Sequence, residues 1–329
     1  MGALFGQAAG DAMGMPSELW PQSRVRQHFG WIDRFLPGQE ENISANEYIA
    51  GEFTDDTQQA ITLAESLIEA HGRVDPELIA IKILEWAESV DAFEKNILGP
   101  TSKAALITVR AGIAVKNIPA NGITNGAAMR ISPLGCAFST ADLPAFINVV
   151  RQSCSPTHKS DIAVAGAFAI AWSVSQAIEG GSWQEIKQAL PELTDRVQNE
   201  LITTCSPSLG RRITRALSLA ESLHALPDDQ MLYELYQTLG AGMDSIESIP
   251  MALAIVECAN TDPVRCAILS ANLGGDTDTI GAMATAICGA IHGIDAFPAD
   301  WIELISQVNT VNLPYYASSL LQLREKANA

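Results

Sequence analysis

Apolar positions along the chain recur at three and four residues. After Thr54 the series Ile61, Ala64, Leu67 and Ile68 marks one face of an amphipathic helix. Pro76 opens a second helix, with Leu78, Ile81 and Leu84 on one face and Asp75 placed to cap it. Comparable stretches predict helices near 159–179, 208–225, 247–260, 262–272, 278–293 and 314–325. The uncharged run between Asp161 and Glu179 falls short of a membrane span and holds Gly166, Ser173, Ser175 and Gln176, so it reads as a buried helix. Alternating strand patterns are nearly absent. Prolines 119, 133, 144, 191, 227, 250, 298 and 314 are expected at helix starts or in loops. The expectation is an all-α fold of a dozen or more helices, forming a single compact domain over residues 1–329 with no repeat or linker.

Composition narrows the function. The 329 residues are 47% hydrophobic and 18% charged, enough apolar material for a large core. Lys and Arg total 20 against 38 acids, a net charge of −18. Such a chain repels phosphate backbones and anionic membranes, which argues against nucleic acid or membrane as partner. The N-terminus has no Lys or Arg before its apolar stretch, and Asp11 interrupts it, unlike a secretory signal. Six cysteines form no Cys-x-x-Cys pair and sit in apolar surroundings, so reduced thiols and a cytoplasmic location are expected.

Four stretches depart from the helical background: Gly10-Asp11-Ala12-Met13-Gly14 running on to Glu18, Thr54-Asp55-Asp56-Thr57, Asn125-Gly126-Ala127-Ala128-Met129-Arg130, and Gly274-Gly275-Asp276-Thr277-Asp278-Thr279 before a helix from about Ile280. The second and fourth place acids and threonines at helix starts. One reading is capping, in which these oxygens accept from the first free N–H groups. The other is a cation site. Both clusters offer oxygen only, which suits Mg²⁺, Mn²⁺ or Ca²⁺ rather than Zn²⁺. If the two starts meet, Asp55, Asp56, Asp276 and Asp278 must be neutralised by cations or protons. Gly274-Gly275 favours close approach of a ligand or another segment. Asp11, a carboxylate in an apolar helix, needs hydrogen bonds or a cation, and a role tying the first helix to neighbouring loops is the expectation.

In order along the chain, these motifs resemble the ADP-ribosylglycohydrolase family, from Gly2 to about Gly293. The resemblance implies an all-helical fold with two divalent cations, Mg²⁺ or Mn²⁺, in a central cleft. It implies Thr54, Asp55, Asp56, Asp276, Asp278 and Thr279 as metal ligands, and Glu18 as the general base with Asp56 as the alternative. Asn125, Gly126, Met129, His158 and Gly275 are implied on the substrate side. Two departures fall on substrate recognition. The Asp that opens an Asp-x-Gly-x-Thr motif in several members is missing at Ile97-Leu98-Gly99-Pro100-Thr101, where Asp91 and Asn96 are out of register. A family aromatic is replaced by Ala290-Ile291-His292-Gly293. The implied reaction is hydrolysis at the ribose anomeric carbon of an ADP-ribosylated protein or small molecule. A hydrolase of nucleosides or similar small ribosylated molecules, and a non-catalytic ADP-ribose-binding module, are the alternatives.

Overall fold

The structure is a computed structural model, described here for residues 1–95, 97–201 and 204–327; Asn96, singled out above, lies outside the described residues. Among the described residues sixteen α-helices follow in order: α1 (Gly2–Gly14), α2 (Gln22–Phe29), α3 (Asp55–Glu69), α4 (Pro76–Ser89), α5 (Pro100–Arg110), α6 (Ser132–Ala137), α7 (Leu143–Cys154), α8 (Asp161–Ile178), α9 (Trp183–Asn199), α10 (Leu209–Leu223), α11 (Asp228–Leu239), α12 (Ser245–Cys258), α13 (Pro263–Ala271), α14 (Thr277–His292), α15 (Ala299–Val308) and α16 (Leu313–Ala327). Among the described residues no strand occurs, only isolated bridges at Trp20–Gly275 and Thr124–Asp244. The all-α expectation holds.

Helices apolar on every side are enclosed on every side. All of α1 is buried, as is nearly all of α8, α12 and α14, and amphipathic helices such as α9 and α10 pack around them. By length and hydropathy α8 would suit a membrane, but 89% of it is buried inside the fold, where it serves as the core helix its sequence predicts.

The centre of the fold is the contact between α1 and α14. Gly2, Gly6, Gly10 and Gly14 recur every four residues and form a bare ridge on α1. Opposite them on α14 lie Thr277, Gly281, Thr285 and Gly289, also every four residues. A Cβ at Gly10 would collide with the Gly281 carbonyl oxygen, one at Gly6 with that of Thr285, and one at Gly14 with that of Thr277. The two helices therefore meet backbone to backbone. Thr277 Oγ1 donates to the Gly14 carbonyl at 2.8 Å, and Ser17 Oγ donates to that of Ala271 at 2.7 Å, fixing the shared end of the pair.

Two expectations need correction. Pro191 and Pro250 lie inside α9 and α12 rather than at helix starts or in loops. Each removes one backbone hydrogen bond, a loss that a long helix packed along its flanks tolerates. Helix α14 begins at Thr277, not near Ile280, so Asp278 and Thr279 stand in its first turn. Asp75, in contrast, caps α4 as expected, accepting from Glu77 and Leu78 N–H.

The glycine ridge predicts sharp sensitivity to a single methyl. Gly6→Ala and Gly10→Ala are each expected to cost about 1–3 kcal/mol or more, since neither backbone can yield without parting the helices. Urea unfolding measures this; a loss under about 0.5 kcal/mol at both positions would contradict the close packing.

Candidate active site

The α1–α14 contact brings one end of α1 beside the start of α14, and α3 starts against the same point. Asp11 of α1 is fully buried and makes the junction. Its Oδ1 accepts from Thr54 N–H at 2.8 Å, and its Oδ2 from Thr57 N–H at 2.9 Å and the Thr57 hydroxyl at 2.6 Å. This is the tying role expected of it. The carboxylate also does more: oxygens of Asp11, Asp56 and Asp278 lie within 4.8 Å of one another, a set able to hold a metal ion.

Neither acid cluster caps its helix. Thr54 and Asp276 occupy the N-cap positions of α3 and α14, yet neither side chain accepts a cap hydrogen bond. Thr54 Oγ1 instead turns inward, at 3.2 Å from Asp56 Oδ2 and 3.4 Å from Asp278 Oδ2. Asp276 accepts from Asn125 Nδ2 at 2.6 Å, and Asp55 from Gln59 Nε2 at 2.9 Å. The second oxygens of Asp56 and Asp278 are enclosed and have no partner among the described residues, though these residues are only 1% and 2% exposed. Buried carboxylate oxygens left bare are costly. The donor set thus fits a hard cation, which such oxygens accept readily.

Together these groups line a cavity of about 250 Å³, with Glu18, Thr54, Asp55, Asp56, Asp276, Asp278 and Thr279 at its acidic end. Asn125, Met129 and Met243 form part of the wall, and Leu19, Ile43, Ile97, Leu98 and Pro100, with Lys95 beside them, make a mainly apolar lip. The lip includes the stretch where the family Asp is missing.

Glu18 reaches the cavity through a short segment between α1 and α2. Gly275, with φ at +80°, packs so tightly against Ala241 that a side chain would clash. Its carbonyl accepts from Leu19 N–H at 2.7 Å, and its own N–H donates to the Trp20 carbonyl at 2.8 Å. The close approach expected at this turn is therefore with protein segments, and Gly275 is not among the lining residues. Asn42 Nδ2 holds the same segment, donating to the carbonyls of Pro16 at 3.2 Å and Glu18 at 3.0 Å.

His158 does not line the cavity. It is fully buried against Gly126, its Nδ1 at 2.8 Å from Thr157 Oγ1 and its Nε2 at 3.0 Å from Thr124 Oγ1, and of these only Thr124 lines the cavity. Burial and then the nearby Arg130 pull it down to about 3, so the ring is neutral and braces the loop rather than binding as a cation.

Three residues with a place in this site went unnoticed in the sequence. Gln7 bridges α1 to the Asp56 carbonyl at 3.1 Å and the Met129 carbonyl at 2.9 Å, while accepting from Ser132. Its signal was available: a buried amide in an apolar helix must find partners. Asn42 and Tyr48 sit in the irregular segment before α3, where no period points to them. Tyr48 lines the cavity, and burial, then Asp55, hold its hydroxyl protonated far above neutrality.

The carboxylates feel one another. Burial first, then Asp11 and Asp276, push Asp55 up to about 7. Burial pushes Asp11 up to about 6 against the pull of its hydrogen bonds. Asp56, Asp278 and Glu18 are raised strongly by burial and then by neighbouring carboxylates.

The ADP-ribosylglycohydrolase family model matches residues 1–329, and the chain belongs to that family. It is 53% identical over 329 residues to YegU of Escherichia coli (strain K12), covering 100% of this chain and 98% of that one. It is 30% identical over 275 residues to the ADP-ribosylhydrolase ARH3 of Homo sapiens, covering 76% of this chain and 73% of that one. A solved structure described as an ADP-ribosylglycohydrolase-related protein complex superposes with a TM-score of 0.70 at 24% identity, covering 98% of this chain and 96% of that one, and shows the same fold. The protein is a glycosidase-type hydrolase of this family.

The raised carboxylates set a pH signature. Asp11 and Asp55 bind protons more tightly folded than unfolded, where they titrate near 3.8. Their contribution to stability is full below that value and is lost as pH rises through about 6 and about 7. Chelated protein should therefore lose thermal stability between pH 4 and 7.5, with a smaller loss in saturating Mg²⁺. Chelated Asp278→Asn should be at least as stable as the parent at pH 7.5. A chelated parent that gains stability across this window, or a destabilised variant, would contradict the crowding of charge.

Proposed function

We propose that the chain hydrolyses the bond between an ADP-ribosyl group and its leaving group, and that divalent cations are required. The observation that carries this reading is the pair of bare, buried oxygens on Asp56 and Asp278, two residues that line the cavity and whose carboxylates meet that of Asp11. Thr54, Asp55, Asp56, Asp276, Asp278 and Thr279 would hold two ions, Mg²⁺ or Mn²⁺, with Asp11 at their side. Bound there, such ions would orient the ribose hydroxyls, stabilise charge developing on oxygen and make a water more acidic.

The rest falls to the chain. Such bonds break through an oxocarbenium-like transition state, which a surrounding of carboxylates favours. Glu18 takes the proton from the attacking water as general base. Its raised proton affinity suits the task, and its segment is held in place by Gly275 and Asn42. Asp56 is the weaker candidate, since one of its oxygens already accepts from Thr54. Asn125 and Gly126 receive the phosphates, which an acidic cleft would otherwise repel, through the Gly126 end of their turn, since the Asn125 N–H already donates to the Met243 carbonyl at 2.9 Å. Met129 adds apolar wall. The buried thiols Cys154, Cys258, Cys266 and Cys288 pack as apolar groups, which supports a reducing, cytoplasmic setting.

A second reading has one observation in its favour. The lip at Ile97 and Leu98 is apolar where the resemblance implies an Asp in several members, so a smaller ribosylated molecule is a competing substrate. Products assayed from ADP-ribosylated protein, ADP-ribose derivatives and nucleosides, each with Mg²⁺ or Mn²⁺, separate the two. Release of ADP-ribose is the expected result; turnover of nucleosides alone supports the smaller substrate.

Glu18→Gln is expected to lower kcat by roughly 10²–10⁴ while leaving Mg²⁺ affinity within a few-fold of the parent. Steady-state kinetics and a metal titration on the same preparation check this; an unchanged kcat removes Glu18 as base. Chelation should abolish turnover, with recovery on adding Mg²⁺ or Mn²⁺ but poorly with Zn²⁺. Full activity in metal-stripped protein would end the cation reading.

A further inference from the structure

Arg130 is among the largest fully buried side chains in the molecule. A buried guanidinium normally sits against a carboxylate. Among the described residues, Arg130 donates only to neutral oxygens: the Gly126 carbonyl at 2.8 Å, Gln59 Oε1 at 3.2 Å and Thr157 Oγ1 at 2.6 Å. Burial lowers it only to about 10, so it keeps its charge at neutral pH.

Each partner leads back to the cavity. Gln59 is itself fully enclosed, and its amide has two ends. Because Arg130 can only donate, it takes the carbonyl end and turns the NH₂ end to Asp55 Oδ2 at 2.9 Å. The Gly126 carbonyl belongs to the turn that begins at Asn125, whose Nδ2 holds Asp276 at 2.6 Å. Thr157, accepting from Arg130, is left free to donate to His158 Nδ1 at 2.8 Å. His158 Nε2 then faces Thr124 at 3.0 Å, the residue just before Asn125. One donor thus bears on an acid of α3 and on the loop that steadies an acid of α14.

We propose that Arg130 is a positioning residue that sets the two acid clusters against each other, through Gln59 on Asp55 and through the Gly126 turn on Asp276. This rests on the cation reading of those clusters. Residues that orient a ligand's oxygens typically alter metal affinity 10–100-fold when changed.

The test uses Mn²⁺ alone, titrated into the full chain and followed by electron paramagnetic resonance. Gln59→Leu cuts only the branch to Asp55, and Arg130→Lys keeps the charge but loses the fork. Each should weaken Mn²⁺ binding by about 10–100-fold. The double variant should bind little worse than Arg130→Lys, because Arg130→Lys already undoes the Gln59 branch along with the other. Should Arg130→Lys fail to fold, Gln59→Leu carries the test by itself. Folded variants with Mn²⁺ affinity within twofold of the parent, or a double variant whose loss is the product of the single losses, would overturn the proposal and leave the cation reading standing. A parent that binds no Mn²⁺ in the cleft would overturn both.

Discussion

Everything near the site depends on how closely α1 and α14 approach. Two helices with ordinary side chains between them stand 8–10 Å apart. Here a glycine every fourth residue on α1 meets threonine and glycine at the same interval on α14. The shortened distance puts Asp11 and Asp278, far apart in the chain, around one point. Helix α3 is then drawn in by its N–H groups, which Asp11 accepts.

That geometry concentrates charge that the fold does not neutralise by itself. At ~4 Å and an effective dielectric near 20, one pair of like charges costs on the order of 4 kcal/mol before screening and relaxation. The caps of α4, α7, α13 and other helices show that this chain uses Asp and Ser for capping where capping is the purpose. At α3 and α14 the same residue types turn away from the helix and towards one another. The hydrogen bonds from Asn125, Gln59 and Thr54 satisfy one oxygen of each acid and leave others bare, an arrangement suited to a cation rather than to a protein donor.

Much of this was legible in the sequence because it is local. Oxygen-only clusters beside helical stripes, the cap at Asp75 and the buried character of 161–178 all follow from residues close together in the chain. What escaped was pairwise. Gly2, Gly6, Gly10 and Gly14 are visible as a period, but their meaning depends on a partner more than 250 residues away. Pro191 and Pro250 read as breaks because local rules cannot see the neighbours that support a helix across a missing bond. His158 pointed to a ligand contact, yet it meets the cavity only through Thr124, a lining residue whose hydroxyl touches its Nε2, an ordering of layers that spacing does not encode.

On this reading the acids gathered by α1, α3 and α14 form a cation site. Anomalous scattering at the manganese edge, from crystals grown with Mn²⁺, tests it directly. The account predicts peaks bonded to the carboxylates of Asp56 and Asp278, absent in Asp278→Asn at equal Mn²⁺. Manganese found only on surface carboxylates, with the cleft holding water alone, would contradict it.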